Sequence, residues 1–173
     1  MIHHCLLLFA LFYSGKPQLP IDTSDKAFTI YLIRHAEKNM ESGNPSDPEL
    51  SACGMQRAQN IKLYFSTIPL DKVYSTDLVR TKSTALPTAT SKGLEIALYN
   101  PDQLEDFAKQ LIENKENALV VGHSNTTAVL AGLLAGEALG DIDLAIYNRI
   151  YQVIITGKKR QLQLLHSSFE CSE

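Results

Sequence analysis

Basic charge is scarce in this chain. Sixteen Lys and Arg stand against nineteen Asp and Glu, a formal net charge of −3, which excludes the broad cationic face that a nucleic-acid binder needs. Any anion site must therefore be local, a pocket made by a few Arg and His side chains. Cysteine is sparse as well: Cys5, Cys53 and Cys171 show no metal-ligand spacing. A single bridge such as Cys53–Cys171 would leave one thiol over, and without a dense cysteine framework the expectation is three unrelated thiols. No carboxylate-rich metal motif, internal repeat or low-complexity tract stands out. No apolar run is long enough to span a bilayer.

The exception to an otherwise even composition is the nine-residue apolar run from Cys5 to Tyr13, followed by the turn-rich Ser14-Gly15-Lys16-Pro17. Its length suits the core of a signal peptide. The flanks fit less well, because Met1 to His4 carry no Lys or Arg and Phe12-Tyr13-Ser14 is a poor small-x-small cleavage site; an apolar arm packed on the domain is the competing reading. The expectation is an N-terminal segment and linker over 1–26, read as a signal peptide, ahead of one domain over 27–173. The protein is then expected to be periplasmic or secreted, with cytoplasmic residence as the alternative.

Within the domain, short apolar runs alternate with helical periodicity. Phe28-Thr29-Ile30-Tyr31-Leu32-Ile33 reads as a buried strand and stops at Arg34-His35-Ala36-Glu37-Lys38. Ser51 is placed to cap a helix reaching about Ser66, with Met55, Ala58, Ile61 and Phe65 on one face. Lys72 to Ser75 reads as a second strand, and Leu78 to Ser91 as a helix that must kink or stop at Pro87. Leu94 to Leu98 is a third strand. Asp102 with Glu105 resembles a capping box for the helix carrying Leu104, Phe107, Ala108, Leu111 and Ile112. The apolar strand Ala118 to Val121 runs into Gly122-His123-Ser124-Asn125, where Ser124 or Asn125 can cap a helix from Thr126 to Ala135. Strands near Ile150–Thr156 and Gln161–His166, joined at Gly157, close the chain. The pattern predicts an α/β fold, three-layer α/β/α, with a mainly parallel sheet and an antiparallel edge.

Ligands of such sheets bind beyond the carboxyl ends of the strands, which is where the chemistry-bearing residues fall. Arg34 offers a planar fork of donors suited to phosphate. His35 beside it is a nucleophile near neutral pH once its other ring nitrogen is held by a hydrogen bond. His123 stands at the start of a helix whose free amides and dipole favour an anion. Arg80 stands early in its own helix, where it opposes the dipole and gains little without an anion nearby.

Four segments, in order, resemble the histidine phosphatase superfamily, which has the phosphoglycerate mutase-like fold. These are Ile33-Arg34-His35-Ala36-Glu37-Lys38, Leu50-Ser51-Ala52-Cys53-Gly54-Met55-Gln56-Arg57-Ala58, Val73-Tyr74-Ser75-Thr76-Asp77-Leu78-Val79-Arg80-Thr81-Lys82-Ser83-Thr84-Ala85, and Val120-Val121-Gly122-His123-Ser124-Asn125-Thr126. The Arg-His-Ala-Glu-Lys opening is similar to the small phosphatase branch, with Ala36 where many members have glycine. The resemblance implies that His35 attacks phosphorus and carries the phosphoryl group, that Arg34, Arg80, His123 and Ser124 hold its oxygens, and that neither metal nor cofactor is needed. It implies hydrolysis of a phosphomonoester or phosphoamide on a phosphorylated small molecule, glycan or protein side chain.

The acid that would protonate a leaving oxygen is open, with Glu37 and Asp102 as candidates. The stretches from Lys38 to Leu50 and from Ala135 to Tyr147 leave no room for a capping domain. An open pocket disfavours a mutase, which must shield its intermediate from water. A catalytically idle phosphate-binding module is the alternative from another class.

Overall fold

In the computed structural model, residues 26–139 and 146–171 are described; the apolar N-terminal run and its linker lie outside them. Among the described residues six strands form one sheet. They are β1 (Phe28–Arg34), β2 (Lys72–Ser75), β3 (Ile96–Leu98), β4 (Ala118–Gly122), β5 (Arg149–Thr156) and β6 (Lys159–His166). The helices are α1 (Ala52–Tyr64), α2 (Val79–Lys92), α3 (Leu104–Asn114) and α4 (Ser124–Ala135). Sheet order is β3-β2-β4-β1-β5-β6. β1, β2, β3 and β4 are parallel, and β5 and β6 add the antiparallel edge. This is the expected α/β architecture.

The sheet is covered on both faces, which is why β1 and β4 are apolar throughout rather than alternating. Phe28, Ile30 and Leu32 of β1 pack with Phe107 and Leu111 of α3 and with Leu130 and Leu134 of α4. Tyr31 and Ile33 point the other way, onto Ile61 of α1, Phe65 just beyond it, and Ala85 and Ala89 of α2. α2 passes through Pro87 and continues to Lys92, so the proline neither stops it nor shortens it.

Several local expectations are corrected. Met55 is 57% exposed, while Gly54, Arg57, Ala58 and Ile61 face inward. Ala58, Ile61 and Phe65 are buried as expected, so only Met55 leaves the inward face; Arg57, drawn to Glu37, joins that face, and Gly54 lets the helix sit against the Glu37 backbone. A Cβ on Gly54 would collide with the Glu37 carbonyl oxygen. Asp102 does not cap α3: the Asn100 side chain accepts from the Asp102 N–H at 3.0 Å, the turn consumes one more residue, and Gln103 takes the N-cap position. Neither Ser124 nor Asn125 caps α4. His123 is its N-cap, since Thr126 Oγ1 accepts from the His123 N–H at 3.0 Å and closes the turn early.

The expectation of three unrelated thiols is also overturned. Cys53, in α1, and Cys171 form a disulfide with Cα atoms 5.7 Å apart. After β6 the chain continues the antiparallel ladder one step past the start of β5, with the Ser167 N–H donating to Asn148 O at 2.8 Å, and the tail then reaches α1. With the partners 118 positions apart, no spacing pattern could signal the pair.

Because the Gly54 site has backbone on the opposite side, Gly54→Ala should cost about 1–3 kcal/mol of stability by overpacking. A denaturant titration checks this; an unchanged midpoint would show that the close approach does not constrain the loop.

Candidate active site

The site grows out of three adjacent parallel strands, β2, β4 and β1, whose carboxyl ends share one rim. Register pairs Arg34 with Gly122 and Ser75 with Val121, so the residues just past each strand become neighbours. The His35 N–H donates to Gly122 O at 2.9 Å, carrying the ladder one step beyond β1. Gly122 is required here because a Cβ would run into the Tyr99 hydroxyl and Thr126 Oγ1. The result sets the His35 and His123 rings 5.5 Å apart, edge to face.

His35 is buried at 5% exposure. Its Nδ1 lies 2.7 Å from Ala36 O. A carbonyl can only accept, so Nδ1 carries the proton and Nε2 keeps its lone pair. The same loop is hooked to α2: the Ala36 N–H donates to Thr84 Oγ1 at 2.9 Å, and that hydroxyl donates to Arg80 O at 2.8 Å. The nucleophile loop and the backbone that carries Arg80 are thus tied through one threonine.

His123 is fixed by a second threonine pair. Thr81 Oγ1 lies 2.9 Å from the carbonyl oxygens of both Thr76 and Leu78, so its single proton goes to a carbonyl. It then accepts from Thr76 Oγ1 at 2.9 Å, and Thr76 in turn accepts from His123 Nε2 at 3.0 Å. The chain of donors puts the His123 proton on Nε2. Thr76 and Thr81 went unnoticed in the sequence because hydroxyl residues after a strand have many local uses.

Arg80 Nη1 reaches Asp47 Oδ1 at 3.4 Å, and the two Asp47 oxygens accept from the Val79 N–H at the start of α2 at 2.9 and 3.1 Å. A carboxylate thus offsets the unfavourable placement of Arg80 on the helix dipole. Arg34 meets Tyr147, whose ring lies 3.8 Å from Cζ and whose hydroxyl accepts from Nη2 at 3.1 Å. Asp47 and Tyr147 had no sequence signal; each is brought in by a loop.

Burial, reinforced by the nearby arginines and the second ring, pushes the His35 pKa from its ordinary 6.5 down to about 3. Burial first, then Arg80 and Arg34, takes His123 down to about 4. Both rings are therefore neutral at physiological pH, and the positive charge of the site resides on its arginines.

Of the remaining expected residues, Ser124 opens α4 beside His123. Glu37 is turned onto buried Arg57, accepting from Nη2 at 2.6 Å and from Nε at 2.9 Å on both oxygens. Asp102 lies before α3, in a depression with Pro101, Leu104, Val129 and Leu133. Neither acid candidate is drawn into the His35–His123 cluster by any of these contacts.

The histidine phosphatase superfamily (branch 1) model matches residues 30–101, the span of the first three motifs; the Gly122-His123-Ser124 motif lies beyond it. Solved structures agree on the fold. Alpha-ribazole phosphatase from Shigella flexneri superposes with a TM-score of 0.68 at 18% identity, covering 84% of this chain and 100% of that one. A mycobacterial glucosyl-3-phosphoglycerate phosphatase gives 0.63 at 13%, covering 83% and 100%. The protein histidine phosphatase SixA, complexed with tungstate, gives 0.65 at 12%, covering 80% and 97%. No curated protein matches by sequence. All three structures are only 12% to 18% identical, so what they share with this chain is the fold.

The depressed histidine pKa values link stability to pH. The unfolded chain takes up protons near 6.5, whereas the folded site resists until about 4 and about 3. Below 6.5 the unfolded state binds more protons, so stability should be flat above that value and fall as pH drops through the window toward 3. Urea midpoints at about pH 7 and about pH 5 check the sign, and His35→Asn should flatten the difference. A wild-type midpoint that does not drop on acidification contradicts the neutral, buried rings.

Proposed function

We propose that the protein is a phosphatase that hydrolyses a phosphomonoester or phosphoamide through a phosphohistidine formed on His35. The observation that carries this reading is the Nδ1–Ala36 contact of 2.7 Å, which leaves Nε2 unprotonated in a ring whose centroid is 5.5 Å from that of His123. In the first step Nε2 bonds to phosphorus while the bond to the leaving oxygen or nitrogen breaks, and the leaving group takes up a proton. Water then attacks phosphorus, the P–N bond breaks, and phosphate departs with the imidazole restored. Arg34, Arg80, His123 and Ser124 hold the phosphoryl oxygens, assisted by the N-terminus of α4. Two guanidinium groups supply the charge that a divalent cation supplies in other phosphoryl-transfer sites, so the proposal includes independence from metals and cofactors. The tungstate-bound SixA neighbour supports an oxyanion pocket in this fold. The substrate class is a phosphorylated small molecule, glycan or protein side chain.

His35→Ala should lose turnover of an aryl phosphate by at least about a thousandfold. Brief exposure of the wild-type protein to labelled substrate should leave acid-labile phosphate, absent from the variant. A folded variant that still turns over substrate, or a wild type that never carries label, defeats the mechanism.

An oxidising, extracytoplasmic location is part of the same proposal. It is supported by the Cys53–Cys171 disulfide and by the Cys5–Tyr13 run, since disulfides persist outside reducing compartments. Sequencing the N-terminus of the native protein should find a start beyond Tyr13. An intact Met1 with free thiols at Cys53 and Cys171 would return the protein to the cytoplasm.

A further inference from the structure

Beside the catalytic rim lies a pocket of about 300 Å³, lined among others by Glu37, Arg57, Tyr147, Asn148, Phe169 and Glu170. It shares Tyr147 with the site itself, whose ring centroid is 6.3 Å from that of His35. It also shares Glu37, two residues after the nucleophile. The far wall is the C-terminal tail, held by the disulfide to α1 and by Arg57 Nη1, which donates to Phe169 O at 3.0 Å. Arg57 is 5% exposed and its guanidinium faces the Phe169 ring at 5.0 Å, so this wall is fastened at two points.

The lining argues for one kind of occupant. Arg57 and Glu37 neutralise each other through three short contacts of 2.6 to 2.9 Å, and the remaining charge is the exposed acid Glu170. A second anionic group is therefore unwelcome, and the phosphoryl end belongs on the Arg34 side. What remains is two aromatic rings, the Ile146 side chain and the disulfide at Cys171, with the Asn148 amide and the Tyr147 hydroxyl as the polar groups. Ring faces pack against C–H surfaces, while amide, carboxylate and hydroxyl groups pair with alcohols. Tyr147 has a further property. Its oxygen accepts from Arg34 Nη2 at 3.1 Å, and because arginine only donates, the phenolic proton remains available to a bound group.

We propose that this pocket is the leaving-group subsite, taking a neutral hydroxyl-rich group such as a sugar, with Tyr147 donating the proton to the departing oxygen. The proposal rests on the phosphatase reading above. As the P–O bond breaks, its electron pair stays on the sugar oxygen, which takes the Tyr147 proton. The tyrosinate is held against Arg34 until the water that hydrolyses the phosphohistidine returns a proton. Neither Glu37 nor Asp102 is then needed as the acid.

The test compares a hexose 6-phosphate with acetyl phosphate, whose leaving acetate needs no proton and is too small to reach Phe169. For hexose phosphate, Phe169→Ala should raise KM about tenfold with kcat little changed, the size of one lost packing or hydrogen-bonding contact. Tyr147→Phe should instead lower kcat about a hundredfold, within the range for one proton-transfer group. On acetyl phosphate each variant should lose at least about tenfold less than it loses on hexose phosphate, and unchanged urea midpoints should show that both are folded. Equal losses on both substrates would overturn the subsite and leave the phosphatase reading standing. So would a wild type that hydrolyses acetyl phosphate but not hexose phosphate, or one that prefers a cationic substrate such as phosphoethanolamine. A wild type inert toward every substrate removes the phosphatase reading, and the subsite with it.

Discussion

Everything at the rim depends on the parallel pairing of β1 with β4. That register sets Arg34 opposite Gly122, and the bond from the His35 N–H to Gly122 O at 2.9 Å extends it one residue past the strand. Two histidines 88 positions apart thereby meet without either needing a side-chain contact to find the other. β2 on the far side of β4 brings Thr76 and α2 to the same edge. Because all three strands are central and apolar on both faces, sliding any of them would expose core residues. The geometry of the site is therefore protected by the hydrophobic core rather than by its own few hydrogen bonds.

A second tier of contacts orients the reacting groups. Threonines do much of it: Thr84 links the Ala36 amide to the Arg80 carbonyl, and Thr76 with Thr81 sets the proton on His123. Each hydroxyl is buried and donates to a neighbour, so its orientation is determined by its partners. Arg57 plays the corresponding role for the outer wall. It joins the loop after β1, helix α1 and the C-terminal tail through Glu37 and Phe169. Buried charge of this kind is tolerable because the carboxylate and the carbonyl satisfy the guanidinium.

The strands and helices of the domain are legible in the sequence because each central strand is an uninterrupted apolar run ending abruptly in polar residues. The same endings single out Arg34, His35, Arg80 and His123 from residue type and position alone. What is not legible is mostly long-range. Tyr147 reaches Arg34 across 113 residues, and Asp47 reaches Arg80 from a loop. The exposure of Met55 in place of Arg57 follows from an ion pair that helix periodicity ignores. The caps expected at Asp102 and Ser124 fail by one residue each, where the side chains of Asn100 and Thr126 close competing turns. Such local alternatives differ by about one hydrogen bond, too little for residue type alone to decide.

The disulfide has a topological consequence. Cys53 and Cys171, 118 positions apart, close a covalent ring that holds Arg80, His123 and Tyr147, while Arg34 at the end of β1 and His35 just past it lie on the segment leading into it. A ring of that size removes about 4–5 kcal/mol worth of denatured-chain entropy in the loop-closure description. Even fully unfolded under oxidising conditions, the chain is a lasso rather than a line. Its loose end still carries the nucleophile, and refolding then amounts to inserting one strand, β1, into the middle of a sheet whose other strands are already tethered.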